Sequence, residues 1–216
     1  RAEGKMKEID IETWSRKEHF QFFLRSDLPF YNVNFNVDIT GLKEYARSCG
    51  LSLTNTLLFL AVKALNRVEN FRYRLMEGKV VLYDRINPSF ACIRGNEDLF
   101  RMITVEFEDD IAVFDTKAKA AIESSTSFFD LSMLKGRSDF AFFSPLPWIP
   151  FTAVDHTMSL KKEDCIPRIS WGKFAQADGN VLLPFNIQVN HIFIDGMHVG
   201  QFYQTLHELI REQMKK

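Results

Sequence analysis

The feature that most constrains this chain lies near its C-terminal end. Val181 to Asn190 reads as an apolar strand. Gly196 to Met214 reads as an amphipathic helix, with Phe202, Leu206, Leu209 and Ile210 on one face. Between them stands His191-Ile192-Phe193-Ile194-Asp195-Gly196, an H-x-x-x-D-G sequence. Asp-Gly marks a tight turn, so the histidine is expected at the mouth of a strand where the chain turns into a helix.

The rest of the chain fits a sheet with helices packed on it. Asp10 to Leu24 reads as a short helix carrying Trp14, Phe20 and Phe23. Asn32 to Val37 alternates as a strand does. Thr40 is the expected N-cap of a helix running through Tyr45 to Ser48. Leu53 to Val68 has strong helical spacing, through Leu57, Ala61, Ala64, Leu65 and Val68. Two hairpins are expected. Phe71 to Met76 and Lys79 to Asp84 flank Glu77-Gly78, and Ile166 to Gln176 and Val181 to Asn190 flank Asp178-Gly179-Asn180. Strands are also expected at 88–94, 101–107, Ala141 to Phe143 and Phe151 to Val154, with a helix over Asp115 to Ser124. Hairpins without regular β-α-β alternation predict an α+β fold with a mixed, mostly antiparallel sheet. No repeat, low-complexity tract or Gly/Ser linker interrupts the chain, so residues 1–216 are expected to form a single domain.

Composition narrows the function. The 46% hydrophobic content suits a sizeable core, and most of the 21 phenylalanines are expected there, a few lining an apolar pocket. A net charge of -1 gives no sign of nucleic acid or an anionic membrane as partner. Cys49, Cys92 and Cys165 are isolated and odd in number, which favours a reducing, cytoplasmic setting. Arg1 to Asp10 lacks the apolar stretch of a signal peptide, and Met6 is a possible natural start. Leu57 to Val62 is too short to span a bilayer.

Three places carry chemistry. Histidine is the side chain whose ordinary pKa suits proton transfer near neutral pH. His191, ending a strand ahead of Asp195 and Gly196, reads as a general base, against the alternative of a buried histidine satisfied by backbone. Ser144 lies in Ser144-Pro145-Leu146-Pro147-Trp148, a loop stiffened by two prolines. It is either a plain loop serine or a hydrogen-bond donor to an oxyanion; without G-x-S-x-G it is not a nucleophile elbow. Arg16, within Trp14 to Phe20, either sits on a solvated helix face or pairs with a buried carboxylate, for which Asp195 is the obvious partner. No histidine or cysteine spacing suits a metal, and no glycine-rich phosphate motif occurs. Asp109, Asp110 and Asp115 read as a solvated face.

These residues resemble, nearly end to end, the histidine-dependent chloramphenicol acetyltransferase family. The likeness rests on W-x-R-x-E-H-F at Trp14 to Phe20, S-x-x-P-W at Ser144 to Trp148, and H-x-x-x-D-G-x-H-V at His191 to Val199, followed by a final helix. The resemblance implies O-acetyl transfer from acetyl-CoA by direct attack, without an acyl-enzyme, in a homotrimer whose active sites lie between subunits. It implies His191 as general base, Ser144 as oxyanion donor, and Arg16–Asp195 as a structural ion pair. It implies that Phe23, Phe100 and Ser170 line the acceptor pocket and that Lys173 and Phe174 meet coenzyme A. A base poised this way works neutral, and a backbone contact at its other ring nitrogen would fix the tautomer.

Phe174 stands in place of the family's adenine-stacking tyrosine, and the chain departs from the family at three further points. Asn190 stands where a first histidine is usual, Phe23 where tyrosine is frequent, and Pro145-Leu146 alters the serine loop. These bear on the acceptor, and so on any antibiotic resistance, more than on the reaction. Two other readings compete. One is the same chemistry on another acceptor, such as the thiol used by dihydrolipoyl acyltransferase catalytic domains, which share a D-H-x-x-x-D-G-type motif; no lipoyl segment is evident here. The other is a homologue that binds acyl-CoA or an apolar ligand without turnover.

Overall fold

A computed structural model describes residues 4–129 and 135–215. A small antiparallel sheet holds β1 (Met6–Glu8), β3 (Tyr73–Met76) and β4 (Lys79–Tyr83), in the order β1-β4-β3. A larger mixed sheet holds β2 (Phe30–Asp38), β5 (Asn87–Cys92), β6 (Arg101–Thr104), β7 (Phe140–Phe143), β8 (Arg168–Trp171), β9 (Ala175–Ala177) and β10 (Asn180–Asn190). Its order is β2-β10-β8-β7-β5-β6, with β9 also on β10. Strands β5, β7 and β8 run parallel; the other pairings are antiparallel. The helices are α1 (Lys17–Leu24), α2 (Leu42–Ser48), α3 (Leu53–Arg67), α4 (Ile111–Ser124) and α5 (Gly196–Gln213). The α+β expectation holds.

Both hairpins form where the turn residues put them. Glu77 and Gly78 have φ of 50° and 79°, and Asp178 and Gly179 have 50° and 81°. Two successive positive φ values make the turn whose twist matches antiparallel strands, and glycine at the second position avoids a Cβ penalty.

Some boundaries move. The first helix begins only at Lys17, after turns over 11–16. Thr40 is not the cap of α2: Gly41 is, at φ 80°, while the Thr40 hydroxyl donates to Asp38 and accepts from the Val181 N–H. Side chains that can cap can also tie loops, and a tertiary partner won here. Phe151 to Val154 is not a strand; the Val154 carbonyl accepts instead from the Asn186 side chain.

Packing fixes the turn after β10. Phe193 is fully buried among Trp14, Phe20 and Tyr73, with ring centroids 5.7–6.2 Å away. Burying such a ring contributes about 1.5–3 kcal/mol, enough to hold the 191–195 segment against the core. Arg74 ties the two sheets together. Its guanidinium donates to the carbonyls of Phe71 and Tyr73 on one side and Ser138 and Phe140 on the other. Burial lowers its pKa to about 10, and the four carbonyls satisfy a cation that would otherwise be costly to bury.

Among the described residues no single helix is long and apolar enough to cross a membrane, and no group of three or more His, Cys, Asp or Glu is placed to hold a metal.

Candidate active site

His191 follows the last residue of β10, and its N–H donates to the Pro29 carbonyl at 2.7 Å. The imidazole lies flat on Phe23, centroids 3.8 Å apart and planes 13° apart, with Tyr31 tilted against it at 4.9 Å. The side chain is 33% exposed. Its Nδ1 is buried and makes no hydrogen bond, although Asp195 Oδ1 is 3.2 Å away. The bond fails on direction, not distance. Nε2 is the nitrogen that solvent reaches. A neutral imidazole presenting Nε2 can accept a proton from an incoming hydroxyl. The backbone contact expected at the other nitrogen is absent, and the His191 carbonyl accepts from Arg16 Nη2 at 3.1 Å.

Arg16 is the hub of the turn. Its guanidinium grips Asp195 at two points, both 2.6 Å, and donates to the carbonyls of Ile192 and His191, both at 3.1 Å. The fork matches a carboxylate in shape as well as charge. Arg16 therefore holds the Asp195 carboxyl below the usual carboxylate range, against a smaller opposing effect of burial. Tyr31 donates to the Ile194 carbonyl at 3.0 Å, and burial, aided by the charge on Asp195, pushes its phenol up to about 12. Asp195 also opens α5. Its N–H donates to His198 Nδ1 at 2.9 Å, so that nitrogen carries no proton, and burial lowers the His198 pKa.

Ser144 belongs to a different place. It follows β7, with its N–H on the Ile169 carbonyl, and lines a cavity of about 540 Å³ with Thr54, Cys92, Phe100, Leu146 and Trp148. Burial raises the Cys92 thiol pKa. Ser170 is 1% exposed and spends its hydroxyl on the Ser144 carbonyl at 2.7 Å, so it braces the serine loop and is not among the residues lining that cavity. The Lys173 N–H donates to the Ile149 carbonyl, which ties the next loop to the same end of the sheet. Phe174 is partly exposed there, with the Lys43 ammonium 5.7 Å from its ring centroid.

Topology keeps these two groups apart. β7 and β8 are parallel, and β10 is antiparallel to β8. Ser144 leaves β7 at one end of the sheet, and His191 leaves β10 at the other. The register offsets them by about five residues along the strands and two strand spacings across, or roughly 20 Å of backbone. Phe23, Arg16 and Asp195 stand with His191. Phe100, Ser170, Lys173 and Phe174 stand at the end with Ser144.

Sequence reasoning missed Tyr31, His198 and the cavity lining of Thr54 and Cys92. Only His198 carried a signal, since its place three residues after Asp195 is the spacing of a helix capping pair.

Known proteins place the chain. The profile of the chloramphenicol acetyltransferase family matches residues 5–207. A chloramphenicol acetyltransferase from Clostridium perfringens is 29% identical over 203 residues, covering 93% of each chain. Chloramphenicol acetyltransferase 3 from Escherichia coli is 26% identical over 96% of this chain and 98% of its own. A solved chloramphenicol acetyltransferase superposes with a TM-score of 0.89 at 26% identity, covering 95% of this chain and all of the other. The dihydrolipoamide acetyltransferase of Azotobacter vinelandii shares the fold, with a TM-score of 0.66 at 17% identity over 89% and 85% of the two chains. With its family profile matched almost throughout and a part-exposed histidine held at the end of its longest strand, this acyltransferase belongs to the chloramphenicol acetyltransferase family.

Proposed function

We propose that this protein transfers an acetyl group from acetyl-CoA to a hydroxyl of chloramphenicol or a similar small, largely apolar acceptor. The observation that carries this reading is the solvent-reached Nε2 of His191 on a ring stacked against Phe23 and braced by Arg16–Asp195. His191 Nε2 takes the acceptor's proton as its oxygen attacks the thioester carbonyl carbon. The Ser144 hydroxyl donates to the oxyanion of the tetrahedral adduct. The carbon–sulfur bond then breaks, and the proton on His191 goes to the departing thiolate. A positioned base supplies roughly 10²–10⁴-fold, and a single oxyanion donor roughly 10²–10³-fold. The thioester is already activated, so no covalent enzyme intermediate is needed.

The opposite placement of Ser144 and His191 supports a site assembled from two copies of the chain, one giving the histidine and the next giving the serine cavity. A closed ring of copies satisfies every such seam. Three is the number of copies that the family resemblance implies, and on that ground we propose a homotrimer. Lys173 and Phe174 would meet coenzyme A at the Ser144 end, with Phe174 beneath the adenine. No metal takes part in this scheme.

The test is conversion of acetyl-CoA to coenzyme A, the two separated and quantified by chromatography, with chloramphenicol and, in parallel, with dihydrolipoamide as a thiol acceptor. Turnover that needs chloramphenicol and vanishes in His191→Ala supports the proposal. Turnover with the thiol alone would move the acceptor. No coenzyme A formed with either acceptor would favour a binding protein.

A further inference from the structure

Asn190 replaces a histidine that is usual at this position, and its side chain uses its donors and an acceptor lone pair. It is 2% exposed. Its Oδ1 accepts from the Ile192 N–H at 2.9 Å, which sets the turn that displays His191. Its Nδ2 donates to two carbonyls of one loop, Lys162 at 2.9 Å and Asp164 at 3.2 Å. That loop reaches α1 in turn, because Lys162 Nζ donates to the Leu24 carbonyl at 3.4 Å. Leu24 directly follows Phe23, whose ring lies on His191. The contacts therefore close a ring: Asn190 to Lys162, to the end of α1, to Phe23, to the imidazole, and back along the chain to Asn190.

This matters because His191 lacks an anchor of its own. Its Nδ1 stands 3.2 Å from Asp195 Oδ1 without the direction of a hydrogen bond, so no directed bond at that nitrogen fixes the ring plane. Orientation is left to the stack on Phe23 and to the backbone on either side. Resting on the reading of His191 as the base, we infer that Asn190 is a positioning residue that sets the imidazole's place against Phe23. An amide suits the task because one planar group donates twice and accepts once. A carboxylate of the same size would keep the contact to Ile192 but turn an oxygen onto two carbonyls, leaving them without donors.

The experiment compares Asn190→Asp, Asn190→Ala and Asn190→His. The first readout needs no turnover. A ring stacked on Phe23 has its carbon-bound protons shifted upfield, and NMR of the full chain follows this, with His191→Gln supplying the assignment. The upfield shift is expected in the parent, lost in Asn190→Asp and Asn190→Ala, and largely kept in Asn190→His, which retains a donor and an acceptor. His198 signals should stay in place throughout. The second readout is steady-state transfer from acetyl-CoA to chloramphenicol. kcat should fall at least tenfold in Asn190→Asp, with both KM values within about twofold. The inference is overturned if the His191 signals and kcat are unmoved in Asn190→Asp. It is also overturned if all histidine signals move together, which would mark general loosening. A parent without turnover would defeat the proposed reaction, while the NMR comparison would still decide the role of Asn190.

Discussion

Arg16 and Asp195 stand 179 residues apart in the chain and meet in a two-point fork, each contact 2.6 Å long. The pair joins the start of α1 to the start of α5, and the same guanidinium holds two carbonyls of the turn that carries His191. Arg16→Lys keeps the charge but loses the fork and the planar reach to those carbonyls. It is expected to lower stability by about 1.5–3 kcal/mol, the range for hydrogen bonds to charged groups, and to reduce kcat more than it raises KM. Urea unfolding and steady-state kinetics check both, and unchanged values in each would show that the fork does not support the turn.

The same pair makes stability depend on pH. The folded state holds Asp195 below the usual carboxylate range, chiefly through Arg16. A depressed folded pKa contributes stability that is fully present above the unfolded value, near 4, and is lost as pH falls through the folded value. Asp195→Asn is therefore expected to be less stable at neutral pH and to lose less on acidification below about pH 4. Parallel unfolding curves for parent and variant across that range would contradict this.

His198 should leave a separate mark at higher pH. Burial lowers its folded pKa, so the unfolded chain binds the extra proton first and stability falls as pH drops below about 6.5 toward the folded value. His198→Gln keeps an acceptor for the Asp195 N–H without a titrating ring. It is expected to stay folded and to show a shallower pH slope below about 6.5, the remaining slope belonging to His156, whose pKa burial also lowers. His198→Ala lacks the titrating ring as well, so it should share that slope while lying about 1 kcal/mol below His198→Gln at every pH, as loss of a cap does. Thermal melts at stepped pH distinguish the two variants.

Ser144 and His191 offer a test of where the site is assembled. His191→Ala should cut kcat by roughly 10²–10⁴-fold and Ser144→Ala by roughly 10²-fold, with oligomeric state unchanged. Unfolded together and refolded as a mixture, the two inactive variants should recover activity, because about a quarter of seams in random assemblies would pair an intact histidine with an intact serine. Light scattering reports the assembly, and thiol release reports the recovery. A mixture no more active than its components would place both groups within one chain.

Much of the architecture was legible along the chain. Two positive-φ turns were written in Glu77-Gly78 and Asp178-Gly179, and the helical stripe of α3 in its apolar spacing. These are local matters of steric freedom and periodicity, so neighbouring residues suffice to decide them. Thr40 and Phe151 to Val154 were misread because their backbone and side-chain partners, Val181 and Asn186, lie far away in sequence. The same holds for Tyr31, which meets His191 only because β2 pairs with β10.

The sequence alone determined that a histidine would stand at the end of a strand, ahead of a capped helix, with a proline-stiffened serine loop elsewhere. Only the tertiary structure decided that the histidine and the serine leave opposite ends of one sheet, and that Arg16 and Asn190, not a hydrogen bond at Nδ1, hold the turn after β10. Strand direction and register are set by pairings between distant segments. A change in either would move these side chains by many ångströms without altering a single local motif.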